Sequence, residues 1–436
     1  MEQLILAITC LAGMLFLLCL GVPVAIAMIT ASFVGLTLSA GMDFALTNFM
    51  TLPYAAASSF NFAAIPTFVA MGIIFGKSGL AASLFKAADI WLAKVRGGLY
   101  MAVVIASAAF GAINGSTIVG AALFTKIALP EMIKLGYDRA TSAGCIVGAG
   151  TFSAMIPPSI TMVLYGLLTN ESIGRILIAG IIPGILTAVV YLVGIFVMIR
   201  VKKHWAPPVT RSFTAKEKVQ SLATLAPVAL VFIIIVGGIY AGLVAPASAG
   251  AIGALSALII AIAMRKFKFL DFTESMKETA ATTAVLFFIV IGGLAFSRLL
   301  LVTGTVDALL DVIKSNDIPP WVIMTVIILV YVVLGCVMDS ISMMVMTVPI
   351  VHPIVVGLGF DPIWFAIIMV KLIELSVITP PVGLNLYAVQ SSSDGLVTTS
   401  QVFRGVTPFI ILELVVLAIL FLVPGMVTLL PNLMIN

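Results

Sequence analysis

Charge is what this sequence has least of. Asp, Glu, Lys and Arg make up 9% of its 436 residues, where a soluble domain carries roughly 25%. A water-soluble enzyme or nucleic-acid-binding module is excluded on that ground. Histidine occurs twice, at His204 and His352, too far apart and without a carboxylate cluster to make a metal centre. The four cysteines, Cys10, Cys19, Cys145 and Cys336, fall at unrelated spacings. That excludes a disulfide framework and predicts small core residues. There is no Walker A pattern, so direct ATP-driven work is not expected. Met1–Leu20 has no basic n-region and runs on into apolar sequence, so no cleavable signal peptide is expected.

What remains is hydrophobic: 62% of residues, at a mean hydropathy of +1.26. A span takes about 20 apolar residues. Candidates lie at 3–20, 23–40, 60–76, 140–168 and 175–199, then at 226–244, 247–264, 280–300, 362–391 and 404–430. Two further apolar stretches, 98–133 and 320–352, are cut by Asn114-Gly115-Ser116-Thr117 and by Met338-Asp339-Ser340-Ile341-Ser342. They read as re-entrant hairpins. The expected fold is all-α and polytopic.

The halves repeat. Gly111-Ala112-Ile113-Asn114-Gly115-Ser116, Leu135-Gly136-Tyr137-Asp138 and Ile156-Pro157-Pro158-Ser159 are answered by Gly335-Cys336-Val337-Met338-Asp339-Ser340, Leu358-Gly359-Phe360-Asp361 and Thr379-Pro380-Pro381-Val382. The offsets are 224, 223 and 223 residues (335 − 111, 358 − 135, 380 − 157). This gives repeats over 1–200 and 223–436, joined by a cytoplasmic linker at 201–222. Five crossings and one hairpin per half would invert the second half relative to the first. Charge agrees: all basic residues except Arg175, Arg298, Lys314 and Lys371 fall on one side, predicted cytoplasmic, with both termini outside. Residues 79–97 and 303–316 are amphipathic and suit helices lying in each interface.

Paired interruptions in two repeats point to a transporter's binding site. Backbone breaks are tolerated in a bilayer only where they line protein or a watery cavity. Double prolines at 157–158 and 380–381 remove backbone donors and stop the helix. Carbonyls and hydroxyls at the breaks suit Na⁺, and helix N-termini there suit an anion; close-packed Gly/Ser interfaces are the alternative. Asp339, an isolated charge at a hairpin tip, reads as neutralised by Na⁺ or as a protonated structural carboxyl. Lys371 and Glu374 read as a mutual pair, and Arg298 as reaching to the surface. Glu413 has no assigned partner. Gly148-Ala149-Gly150 reads as helix packing.

At Ala64-Ile65-Pro66-Thr67-Phe68, Phe110–Ser116, Gly136-Tyr137-Asp138, Ile156–Ile160, Ala179–Gly184 and Ile378–Asn385 the chain resembles the large membrane subunit of tripartite ATP-independent periplasmic (TRAP) transporters. The resemblance covers essentially the whole chain. It implies Na⁺-coupled uptake of an organic carboxylate, sialic acid or C4-dicarboxylate, across a bacterial inner membrane. A periplasmic binding protein would deliver the substrate, and a small four-helix membrane subunit, here a separate polypeptide, would complete the complex. By analogy with elevator carriers, hairpins and broken helices would move against the remaining spans and arm helices.

On this reading Na⁺ is held by Asn114, Gly115, Ser116 and Pro157 in one half and by Gly335, Asp339, Ser342, Thr379 and Gly383 in the other. The carboxylate meets Ser116, Thr117, Ser153, Pro158, Ser159, Ser340, Pro381 and Asn385. A family pattern with a small residue before the first Gly-Ser differs here at Asn114. The alternatives are a carrier that needs no binding protein, a passive assembly subunit, and an intramembrane enzyme, for which no catalytic cluster is legible.

Overall fold

A computed structural model describes residues 2–208, 212–265, 267–335 and 338–434. Cys336, Arg211 and Lys266, each assigned a place above, lie outside the described residues. Chain order runs α1 (Glu2–Cys19), α2 (Val24–Ala40), α3 (Met42–Ser58) and α4 (Ala64–Lys77). α5 (Leu80–Leu92) leads to the antiparallel pair α6 (Gly98–Asn114) and α7 (Thr117–Lys134). An interrupted rod follows: α8 (Arg139–Gly150), the single turn α9 (Phe152–Met155) and α10 (Ile160–Thr169), then α11 (Ile173–Ala179) and α12 (Ile181–Val201).

The second half opens with α13 (Ala215–Leu222), α14 (Ala226–Phe232) and α15 (Gly238–Tyr240), then α16 (Pro246–Ala263), the 34-residue α17 (Phe269–Val302) and α18 (Thr305–Ser315). The second pair is α19 (Pro320–Gly335) and α20 (Ser340–Gly357). A second interrupted rod, α21 (Pro362–Ile378) and α22 (Leu384–Ser392), precedes α23 (Thr399–Leu422) and α24 (Gly425–Asn432). Among the described residues there is no strand. Among the same residues seven helices are long and apolar enough to cross a membrane, eight if the bent rod Arg139–Thr169 counts as one.

The caps explain where the elements begin. Asp138 accepts the Thr141 N–H at 2.8 Å and starts α8, while Asp361 accepts those of Ile363 and Trp364 at 2.9 and 2.8 Å and starts α21. Ser116 caps α7 and Asp339 caps α20. Each cap satisfies N–H groups that the helix cannot. Gly79 and Gly304, both with positive φ, precede α5 and α18. In the membrane, small residues let helices close up. A Cβ on Gly144 of α8 would run into the Gly405 backbone of α23, and one on Gly405 into the Ala140 carbonyl. Gly292 of α17 packs less tightly on α2, where a Cβ would stand 3.1 Å from the Ala25 carbonyl oxygen. Gly148 meets Tyr191 and Phe409, and Gly150 meets Ala121, so this Gly-Ala-Gly run serves packing.

The structure departs from the sequence reading in three places. Residues 42–58, left unassigned between two expected spans, form α3. α17 starts at Phe269, eleven residues before the expected span (280 − 269). The last span ends at Leu422, ahead of Pro424. Arg298 is exposed, and its Nε donates to Asn48 Oδ1 of α3 at 3.1 Å. α12 packs on α6, α9 and α23, and α23 on α8, α21 and α22.

Candidate functional site

The two hairpin tips face one cavity of about 360 Å³. α6 ends on Gly115, whose φ of 67° turns the chain where a side chain would be strained. Asn114 Nδ2 donates to the Ser116 carbonyl at 2.8 Å and ties the tip to itself. The second tip is closed by Asp339, whose Oδ2 accepts the N–H groups of Ile341 and Ser342 at 3.0 and 3.1 Å. The first turns of three helices therefore border the cavity: Thr117–Val119 of α7, Ile160 and Thr161 of α10, and Ser340 and Ile341 of α20. Their dipoles favour a bound anion, although at α20 the N–H groups of Ile341 and Ser342 are already taken by the Asp339 carboxylate.

The opposite wall is α4 and α17. Gly72 approaches the Asn114 carbonyl so closely that a Cβ there would collide with it. Lys77, the one cation lining the cavity among the described residues, pairs with Glu278 at 3.2 Å and Glu274 at 3.6 Å. Glu278, Thr282 and Leu286 complete that wall. The hairpin motifs announced their tips. Lys77, Glu278 and Thr161 were missed because each reads as an ordinary helix-end or helix residue.

Of the residues singled out from sequence, Asn114, Gly115, Ser116, Thr117, Asp339 and Ser340 come together in the cavity wall. The others stand behind it. Pro157, Pro158 and Ser159 are buried in the first break, where Ser159 caps α10. Ser153 faces Gly120 of α7, and Gly111 of α6 lies on the Phe152–Ser153 backbone. Gly335 of α19 abuts Ser376 in the same manner. Ser342 is buried in the first turn of α20. Both Pro-Pro bonds are cis. In the second break Thr379 Oγ1 donates to the Leu375 carbonyl at 2.6 Å, and exposed Pro381 accepts from Tyr387 at 3.3 Å. Gly383, at φ 44°, is closely packed: a Cβ there would stand 2.7 Å from Leu386 Cδ1, 2.9 Å from the Thr379 carbonyl oxygen and 3.1 Å from that of Val377. Asn385 is fully buried, and neither its Oδ1 nor its Nδ2 has a hydrogen-bond partner.

A second polar group lies behind the breaks. Lys371 Nζ donates to Glu374 Oε2 at 2.6 Å and to Thr187 Oγ1 at 3.2 Å, and also contacts Glu413 Oε2. Tyr191 donates to Glu413 Oε1 at 2.7 Å. The expected Lys371–Glu374 pair is present, and Glu413 is its third member. Outside the spans, Glu171 is held above the usual carboxylate range by partial burial, with Arg175 opposing. His352 Nδ1 is 2.7 Å from the Tyr165 hydroxyl.

A family model described as the DctM component of the tripartite ATP-independent periplasmic transporter matches residues 11–426. The C4-dicarboxylate TRAP transporter large permease protein DctM of Pseudomonas aeruginosa is 32% identical over 380 residues, covering 87% of this chain and 88% of that one. The sialic acid TRAP transporter large permease protein SiaM of Vibrio cholerae is 29% identical, with 97% of each chain covered. Among solved structures, the Alcanivorax borkumensis YdaH transporter superposes with a TM-score of 0.61 at 15% identity, over 89% of this chain and 90% of that one. That likeness concerns the fold alone.

Proposed function

The chain belongs to the DctM family of TRAP transporter large permease subunits, a family of transporters and not of enzymes, and from that premise we propose that it carries an organic carboxylate into the cell by Na⁺-coupled secondary transport. The observation that carries this reading is the convergence of three helix N-termini, α7, α10 and α20, on the cavity between the hairpin tips. They offer helix dipoles to an anion, with the Asp339 carboxylate at the start of α20 directing it toward α7 and α10. The carboxylate would meet Ser116, Thr117 and Ser340. Asn385, with two unpartnered amide atoms, supplies further capacity once the breaks rearrange.

The residues present fit Na⁺. The carbonyls of Thr379 and Val377 converge beside Gly383, next to Leu386 Cδ1, and are hard oxygen donors of the kind that replace a hydration shell. Thr379, Gly383, Gly335, Asp339 and Ser342 would hold one ion, and Asn114, Gly115, Ser116 and Pro157 another. Na⁺ supplies the downhill gradient. The chain's residues bind, orient and exclude water.

Matched features favour an inverted repeat: Ser116 and Asp339 as caps, Gly79 and Gly304 before the arms, and the Gly111–Ser153 and Gly335–Ser376 contacts. Hairpins and interrupted rods, joined by α12 and α23, would then move past α2, α4, α16 and α17 in an elevator cycle. The cytoplasmic excess of basic residues supports an inner-membrane protein with both termini periplasmic. A four-helix small subunit and a periplasmic binding protein complete the assembly. In proteoliposomes holding all three components, uptake should require the binding protein and fall to background in a combined Ser116→Ala, Asp339→Ala variant. Undiminished uptake by that variant, at equal incorporation, would remove the tips from the mechanism.

A further inference from the structure

Lys371, Glu374 and Glu413 set one ammonium against two carboxyls, with exposures of 1%, 0% and 1%. The cluster draws on four elements: Lys371 and Glu374 on α21, Glu413 on α23, Thr187 and Tyr191 on α12, and Thr151 at the end of α8. Thr151 and Glu374 are 223 residues apart (374 − 151), and Tyr191 and Glu413 are 222 apart (413 − 191). The second half thus places a carboxyl where the first half places a hydroxyl. Packing alone would be served by hydroxyls in both.

Three charges with a net of minus one, sealed from water at membrane depth, are strongly disfavoured. The imbalance is removed by one proton, and the donors say which carboxyl takes it. Glu413 Oε1 accepts from Tyr191 at 2.7 Å and from Thr151 at 3.3 Å, a proton Thr151 shares with the Gly148 carbonyl, while its Oε2 has no hydrogen-bond donor but lies directly against the Lys371 ammonium as an ion pair. An ionised carboxylate accepts only, so these donors mark Glu413 as charged. Glu374 has Lys371 on Oε2, while its Oε1 is buried with no hydrogen-bond partner. One orphan oxygen cannot hold a hard metal cation, which wants about six oxygen ligands. It can hold a proton. The titratable groups facing it are Lys371 on its own helix, Glu413 on α23, and Tyr191 on α12, with Cys145 of α8 beyond Tyr191.

We propose that Glu374 is a proton-binding site, protonated on Oε1 in the resting protein, and that release of this proton to bulk water stops transport. Deprotonation leaves an uncompensated charge in the joint between α21, α23 and the first interrupted rod, the elements that carry both breaks.

The test is infrared spectroscopy of the purified, bilayer-reconstituted chain at neutral pH, a readout independent of what the chain carries. The wild type should show one carbonyl stretch from a protonated carboxylic acid whose C=O oxygen, Oε2, accepts from Lys371. Glu374→Gln should lose it. Glu413→Gln should lose it too, because one carboxylate then balances Lys371, and this variant serves if Glu374→Gln does not insert. Tyr191→Phe should leave the band's position unmoved, since Tyr191 bonds Glu413 only. In uptake assays, wild-type activity should fall on the alkaline side by about tenfold per pH unit, the slope of one titrating group, and Glu374→Gln should lack that fall. No acid band in the wild type, a band that survives Glu374→Gln, or a band shifted by Tyr191→Phe would overturn the proposal.

Discussion

Gly383 combines two demands in one residue. Its φ of 44° lies in the left-handed region, and its missing Cβ lets the Thr379 and Val377 carbonyls and Leu386 close on it. A side chain there costs roughly 1–2 kcal/mol in backbone conformation and pushes apart the carbonyls proposed to bind Na⁺. Gly383→Ala should therefore raise the Na⁺ concentration for half-maximal uptake by about tenfold, read from a Na⁺ titration at fixed substrate. An unchanged Na⁺ dependence would place the ion elsewhere. Lys77 is the corresponding case on the opposite wall. Its pairs with Glu274 and Glu278 are partly exposed, so they contribute at most about 1 kcal/mol to stability. Lys77→Gln should leave the thermal midpoint nearly unchanged while raising the KM for an anionic substrate.

Among elements, the contact of α8 with α23 is the one most exposed to a single change. Ala140, Gly144 and Gly405 bring two backbones together, and overpacking such a crossing costs roughly 1–3 kcal/mol. Gly405→Leu should lower the thermal midpoint in detergent and reduce uptake together, whereas a like change at exposed Gly13, which meets nothing, should do neither. Hydrophobic runs made the main spans legible, and the Asn-Gly-Ser and Pro-Pro motifs made both breaks legible, because in a bilayer such residues have few other uses. α3 escaped that reading since Asp43, Asn48, Pro53 and Tyr54 dilute its hydropathy. The start of α17 escaped because Asp271, Glu274, Lys277 and Glu278 are polar on an otherwise apolar rod. Lys371 and Glu374, three residues apart, announced themselves as a pair. Glu413 lies on another helix, and only the fold brings it to them.

For the whole molecule, the two halves are alike in layout and unlike in charge. Each brings a hairpin tip to the cavity, but the second tip carries Asp339 where the first carries Ser116, and the second half supplies both carboxyls of the buried cluster. An alternating-access cycle built on such halves would couple unequally at its two ends, with Na⁺ favoured beside the second tip. The most direct measurement is uptake of labelled substrate into proteoliposomes holding the large and small subunits and the binding protein, with Na⁺ gradient and membrane potential set separately. Coupled transport predicts accumulation only under an inward Na⁺ gradient, and none when K⁺ replaces Na⁺. Equal accumulation without Na⁺ would contradict it.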